Sequence, residues 1–167
     1  MAESIILNRS TAEKKLRRMA MEILERHQGG GELILIGVRQ NGFPIAQKIG
    51  SLLETNHSGG IRVVALSIDK KHPAGIRLQP ELSCAGKTVI LIDDVANSGR
   101  TMLYALSPLL ASYPARIETL ALVARTHRSF PVALDYAGLS VSTSPTEYIR
   151  VHVVNDEVTG ASIESMA

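Results

Sequence analysis

Tryptophan is absent from this chain, and two phenylalanines and four tyrosines are the only aromatic residues among 167. So few rings leave little material for a base-stacking platform on single-stranded nucleic acid. Cysteine occurs once, as Cys84, which excludes an intramolecular disulfide and a zinc site built on cysteines. Charge of one sign is also scarce: the formal net charge is +2, too small to mark a nucleic-acid binder. Twelve of the eighteen Lys and Arg nevertheless precede residue 84. No apolar run approaches the length that crosses a bilayer, and "MAESIILNRS" lacks the basic and apolar regions of a secretory signal. A cytoplasmic setting with no membrane partner is the expectation. Two familiar phosphate loops are missing as well, G-x-x-x-x-G-K-[ST] and a post-strand G-x-G-x-x-G.

What is present is alternation. Ser10 and Glu13 have capping-box spacing, and Ala12, Leu16, Met19, Ala20, Ile23 and Leu24 follow at helical intervals up to His27. Gly29-Gly30-Gly31 stops that helix, and "ELILIGV" (32–38) reads as a strand buried on both faces. A helix from about Pro44 to Glu54, strands in 61–68, 87–92 and 116–124, and a helix from about Thr101 to Ala111 continue the pattern. Such a chain predicts an α/β fold with a central, mostly parallel sheet flanked by helices. The polar segment 69–86 is too long for a tight connector and reads as a functional loop or a small hairpin. With no repeat or linker, residues 1–167 form one expected domain. Its last stretch, from about 155, reads as an acidic tail, since it carries Asp156, Glu157 and Glu164 without Lys or Arg.

The chemistry concentrates in "VILIDDVANSGRT" (89–101). An apolar strand ends in Asp93 and Asp94, and Ser98-Gly99-Arg100-Thr101 follows. In parallel sheets the carboxyl ends of strands gather ligands, because the next loop and helix N-terminus present backbone N–H groups there. Gly99 permits close approach, and the Ser98 and Thr101 hydroxyls add donors suited to a phosphate monoester. Two carboxylates beside a phosphate cradle would repel the phosphate unless they face something else. Vicinal ribose hydroxyls or a Mg²⁺ ion are what such a pair holds, so the implied ligand is a sugar phosphate.

This stretch resembles the phosphoribosyl-pyrophosphate (PRPP) signature of the type I phosphoribosyltransferases. The likeness extends over residues 5–154 and is strongest to the branch that combines uracil phosphoribosyltransferase activity with regulation of a pyrimidine operon. "ILNRSTAEKKLRRMAMEILER", "LILIGVRQNGFPIAQKI" and "VARTHRSFPVALDYAG" carry it beyond the signature. The resemblance implies a core of about residues 10–124 and a small hood from about 4–8 and 125–154. It gives Asp93 and Asp94 the ribose hydroxyls and the Mg²⁺ cofactor, held partly through PRPP and water. Val95, Ala96, Asn97, Ser98, Gly99, Arg100 and Thr101 would complete the PRPP site. Arg39, Gln40, Asn41 and Gly42 would form the pyrophosphate loop, with Arg39 serving catalysis beside the two aspartates. Lys70, Lys71 and Arg77 fall in the flexible loop, and Arg125, Thr126, His127 and Arg128 in the nucleobase and hood region. The implied reaction transfers the 5-phosphoribosyl group of PRPP to a nucleobase, uracil first, with release of pyrophosphate. Homodimers or higher homo-oligomers are usual in the family.

Three departures qualify the substrate. Asn97 replaces the aspartate that 6-oxopurine enzymes carry before the phosphate loop, and an amide cannot act as a carboxylate base. After strand 116–124 the related branch typically reads V-D-R-G-H-R, where this chain has Ala124 and Thr126. Met21 and Ala133 stand where histidine and a basic residue are common in RNA-regulating relatives, although Lys14, Lys15, Arg17 and Arg18 make the first helix basic. The alternatives are therefore a non-catalytic sensor of PRPP or nucleotide with RNA as a partner, and a purine phosphoribosyltransferase.

Overall fold

Strands covered on both faces need continuous apolar runs, and three segments of this chain supply them, over 33–38, 89–92 and 120–124. The computed structural model describes residues 3–69, 71, 75–79 and 81–166. Strand β2 (Leu33–Val38), β5 (Thr88–Ala96) and β6 (Arg116–Arg125) lie at the centre of a six-stranded sheet. β3 (Ile61–Ser67), β7 (Tyr136–Val141) and β4 (Arg77–Gln79) complete the order β4-β3-β2-β5-β6-β7, all parallel except the short antiparallel edge β4. Alternate side chains serve two cores. Leu33, Leu35, Ile90 and Ile92 pack with helices α1 (Arg9–Arg26) and α2 (Gly42–Glu54). Ile34, Ile36, Val89 and Leu91 pack with α3 (Arg100–Ala111) and with Cys84.

A second, three-stranded antiparallel sheet forms the hood, from β1 (Glu3–Asn8), β8 (Glu147–Val154) and β9 (Glu157–Ser165) in the order β1-β9-β8. The acidic segment expected to be a tail is therefore the central hood strand. Ala161 and Ser162 are buried there, while the acidic residues take partners: Glu157 meets Arg9 at 3.0 Å and Glu164 meets Arg150 at 3.2 Å. The hood also takes less of 125–154 than expected, because β7 pairs in parallel with β6 and extends the main sheet.

Helix α1 begins two residues earlier than its Ser10–Glu13 spacing suggests. Asn8, extended at the end of β1, accepts the Thr11 N–H (2.8 Å) while Thr11 Oγ1 accepts the Asn8 N–H (2.9 Å). The strand delivers Asn8 with cap geometry already set, and such a cap contributes about 1 kcal/mol.

At the far end of α1, His27 Nε2 stands 3.0 Å from Glu118 Oε2, and the Tyr136 hydroxyl donates to the same oxygen at 2.7 Å. Arg116 Nε lies 3.0 Å from the other carboxylate oxygen, and the Arg26 guanidinium covers the Tyr136 ring at 4.6 Å. This cluster joins α1, β6 and β7 within the buried sheet. Burial raises the Glu118 pKa, but the His27 and Tyr136 hydrogen bonds with the His27 and Arg116 charges outweigh it and leave the group below its ordinary value. Burial and the Glu118 carboxylate together push the Tyr136 phenol up. A depressed folded-state pKa stabilises the fold above the ordinary carboxylate range, and that stability is lost as pH falls through the lowered value. Glu118→Gln removes this dependence, so the stability gap between wild type and variant should narrow as pH drops from about 7 toward about 3. Tyr136→Phe, which removes one donor, should cost about 1–3 kcal/mol in denaturant unfolding at neutral pH.

Candidate active site

β5 does not stop at its apolar residues. It runs on through both aspartates to Ala96, still in register with β6 (Asp93 with Ala121, Ala96 with Ala124). The strand expected over 87–92 therefore continues past both aspartates and buries them: Asp93 is 2% exposed and Asp94 8%. Continued sheet pairing buries the backbone, so the carboxylates must be satisfied locally. Asp93 Oδ1 accepts the Asp94 N–H and Asp94 Oδ1 accepts the Val95 N–H, each at 2.9 Å. Asp94 Oδ2 accepts a hydrogen bond from Asn41 Nδ2 at 3.0 Å.

Asn41 belongs to the loop between β2 and α2, which reaches β5 because Gly42 has no side chain. A Cβ there would lie 2.7 Å from the Ile92 carbonyl oxygen and 3.0 Å from Asp93 Cα. The Arg39 N–H is held by the Leu66 carbonyl (2.9 Å), and its guanidinium stands 5.5 Å from the Phe43 ring.

Two cavities meet at this junction. One of about 360 Å³ is lined by residues 93–102, by Asn41, and by Tyr148 to Val151 of the hood. The other, of about 330 Å³, is lined by Arg39, Gln40, Asn41, Ile68 and Asp94. Asn41 and Asp94 line both. In the first cavity, Gly99 takes the left-handed conformation (φ 82°) as N-cap of α3, with no side chain capping that helix. Ser98 Oγ accepts the Arg100 N–H at 3.2 Å. An uncapped helix start beside Ser98 and Thr101 is a site for an anion. Opposite it stands the outer edge of β8. The Thr146 carbonyl accepts the Met166 N–H (2.8 Å), and Tyr148 and Arg150 pair with Glu164 and Ser162. The two-residue alternation then turns the N–H and C=O groups of Ile149 and Val151 away from β9. Asn41 Nδ2 reaches the Val151 carbonyl at 3.4 Å. An aromatic heterocycle with donors and acceptors on its rim suits such an edge.

The aspartates and residues 95–101 thus come together with Asn41, and Arg39, Gln40 and Asn41 face the neighbouring cavity. Other expected positions lie apart. Arg77 pairs with Ser67 at the edge strand, Lys71 donates its N–H to Asp69 Oδ1 (2.9 Å), and neither lines these cavities; Lys70 lies outside the described residues. Arg125, Thr126, His127 and Arg128 also line neither. Arg125 instead donates to the Ser144 carbonyl (2.7 Å) and Thr126 bonds Ser142 (2.8 Å), because β6 and β7 end side by side there. The hood wall of Tyr148 and Arg150 was missed from sequence. Alternation in "EYIRVHVV" marks a strand, but no local signal says which strand end it will face. Tyr148 donates to Glu164, which raises its phenol pKa, and the Arg150 guanidinium lies 5.7 Å from its ring.

The adjacent Asp93 and Asp94 carboxylates are hard oxygen donors beside an anion site, which fits Mg²⁺. Glu3, His152 and Glu164 are a second group of potential ligands, on the hood, where Glu164 is already engaged by Arg150 and Tyr148. Among the described residues no helix is long and apolar enough to cross a membrane.

Residues 3–155 match the family model described as phosphoribosyl transferase domain. A Bifunctional protein PyrR from Roseiflexus sp. (strain RS-1) is 35% identical, with 98% of this chain and 96% of that protein covered. The protein of the same name from Leuconostoc mesenteroides is 32% identical, over 89% of this chain and 90% of its own. Among solved structures, the hypoxanthine phosphoribosyltransferase of Trypanosoma cruzi aligns with TM-score 0.74 at 19% identity, covering 84% of this chain and 83% of that one. A hypoxanthine-guanine phosphoribosyltransferase from Bacillus anthracis gives 0.71 at 19% identity, over 87% and 85%. At such identity these structures share the fold. The family match and the PyrR relatives go further, and they make this chain a member of the phosphoribosyl transferase family, a PRPP-dependent phosphoribosyltransferase.

Proposed function

We propose that this phosphoribosyltransferase transfers the 5-phosphoribosyl group of PRPP to uracil. The observation that carries the reading is the sharing of Asp94 and Asn41 by the two cavities. PRPP is a ribose with phosphate at one end and diphosphate at the other, so its two ends need two anion sites with hydroxyl-binding groups between them. Residues 97–101 take the 5-phosphate, Asp93 and Asp94 take the ribose hydroxyls, and the Arg39–Gly42 loop takes the diphosphate. The base lies against the edge of β8. Asp93 and Asp94 would hold Mg²⁺ together with PRPP, and the ion would supply charge neutralisation for the departing diphosphate.

A ring nitrogen of the base forms its bond to C1 of the ribose as the bond from C1 to the diphosphate oxygen breaks; the electron pair leaves with the diphosphate, and the proton of that ring N–H is released to water. The protein contributes little covalent chemistry. Its groups hold the two reactants in line and place Arg39 where negative charge accumulates. The names of the curated relatives support a pyrimidine, and so does Asn97, whose amide cannot accept a proton as a carboxylate would. A 6-oxopurine is the second reading, supported by the solved structures of similar fold.

RNA is a weaker partner. Arg17 bonds Glu13 (3.1 Å), and Arg18 is committed to Glu22 and to the Ala137 and Gly138 carbonyls. That leaves fewer cations on α1 for a phosphate backbone. A cytoplasmic enzyme that works as a homo-oligomer completes the proposal, a single buried Cys84 being suited to a reducing compartment.

Pyrophosphate release from PRPP and Mg²⁺ should be fastest with uracil in a panel that includes cytosine, hypoxanthine and guanine. Faster release with hypoxanthine or guanine overturns the choice of base, and no release with any base overturns the reaction. Gly99→Ala places a Cβ 3.1 Å from the Phe130 carbonyl oxygen in a left-handed backbone. It should cost roughly 1–2 kcal/mol locally and raise KM for PRPP by about tenfold, with KM for the base nearly unchanged.

A further inference from the structure

Arg125 and Arg128 line neither cavity, yet their contacts run from the Ser98–Gly99 segment on one wall of the first cavity to Ser144, just before β8 on the other. We propose that they form a strut that sets the position of the phosphate loop relative to the hood, with Arg128 as the positioning residue. This inference rests on the proposed reading of residues 97–101 as the 5-phosphate site.

The contacts form a continuous chain. The Ser98 carbonyl accepts two N–H groups, from Ser129 (3.1 Å) and Phe130 (3.0 Å). A Cβ on Gly99 would lie 3.1 Å from the Phe130 carbonyl oxygen and 3.6 Å from Arg128 Cδ, so the arginine stem and the Phe130 backbone lie close behind the loop. The Phe130 carbonyl in turn accepts the Val132 N–H at 2.9 Å, which anchors this segment to a residue of the core. Arg128 Nη1 donates to the Arg125 carbonyl at 3.3 Å, and Arg125 Nη2 donates to the Ser144 carbonyl at 2.7 Å. Ser144 precedes β8, the strand that forms the opposite wall, and its N–H is held by Glu147 Oε2 at 2.7 Å. From phosphate loop to hood wall, every step is a hydrogen bond or a packed stem.

The physical need for such a strut is specific. Gly99 takes a left-handed conformation that glycine adopts freely, so its own backbone preference does not hold the loop in place, and it has no side chain with which to cap the helix behind it. Backbone amides bind an anion well only when they are already aimed, and small displacements are costly in a site that works by positioning. Ser129 and Phe130 supply the aim through their shared acceptor. The two arginines keep that turn at a set distance from β8 and so fix the span between the sugar phosphate and the base.

The test compares Arg128→Ala, Arg128→Lys and Arg125→Ala by calorimetric titration with ribose 5-phosphate and, separately, with inorganic pyrophosphate, alongside steady-state kinetics. Arg128→Ala should weaken ribose 5-phosphate by about tenfold, leave pyrophosphate within about twofold, and raise KM for PRPP more than it lowers kcat. Arg128→Lys keeps the stem and a donor, and should recover most of that loss. The Arg125→Ala, Arg128→Ala double variant should be no worse than the poorer single variant, because the two act in one chain. Equal weakening of both ligands, a loss of melting temperature with unchanged ribose 5-phosphate affinity, or additive effects would overturn the strut. If the wild-type protein binds no ribose 5-phosphate, the phosphate-site reading falls and the strut with it. If it binds ribose 5-phosphate and Arg128→Ala does not alter the affinity, only the strut falls.

Discussion

The hydrogen bond from Asn41 Nδ2 to Asp94 Oδ2, 3.0 Å long, is the contact on which the site depends. It ties the loop after β2 to the end of β5, and the same nitrogen reaches the Val151 carbonyl at 3.4 Å in the hood. One amide therefore touches three elements that are far apart in sequence. A carboxylate only 8% exposed needs such a donor, since burial without compensation costs several kcal/mol. Placing Asp94 between two cavities makes its satisfaction and the binding geometry the same problem.

Around that bond the rest of the molecule supplies distance and stiffness. The parallel sheet sets β2 beside β5, so that their two following loops open next to each other. Gly42 allows contact between them where any Cβ would collide with β5. The hood is carried over the site by strands from both ends of the chain, β1 and β9, and α1 starts directly from β1 through the Asn8 cap. At the other end of α1 the buried Glu118, shared by His27 and Tyr136, fixes the helix to the sheet. Both ends of the helix that supports the hood are thus pinned, one by a cap and one by a buried carboxylate.

Much of this was legible in the residues. The segments 32–38 and 87–92 named buried parallel strands, and the paired aspartates followed by Ser98-Gly99-Arg100-Thr101 named residues that line one cavity, because both signals are local. The misses were non-local. β9 is acidic and looks like a tail until β1 and β8 flank it and Arg9 and Arg150 take its charges. Asp93 and Asp94 look exposed until β5 is seen to keep pairing past them. Arg125 to Arg128 follow a core strand, and with β7 beside β6 the side chains of Arg125 and Thr126 bond to Ser144 and Ser142 while the Arg128 stem comes close to Gly99. Tyr148 and Arg150 reach the cavity only through the fold of a second sheet.

The central claim is that the aspartates at the end of β5 and the Asn41 loop hold one ligand between two anion sites. Calorimetric titration of Mg²⁺ and PRPP into wild type, Asp94→Asn and Asn41→Ala tests it most directly. The predicted result is tight binding by the wild type that requires Mg²⁺ and weakens by about tenfold or more in each variant, with unfolding midpoints showing that both remain folded. Binding that is independent of Mg²⁺ and equal in all three proteins would contradict it.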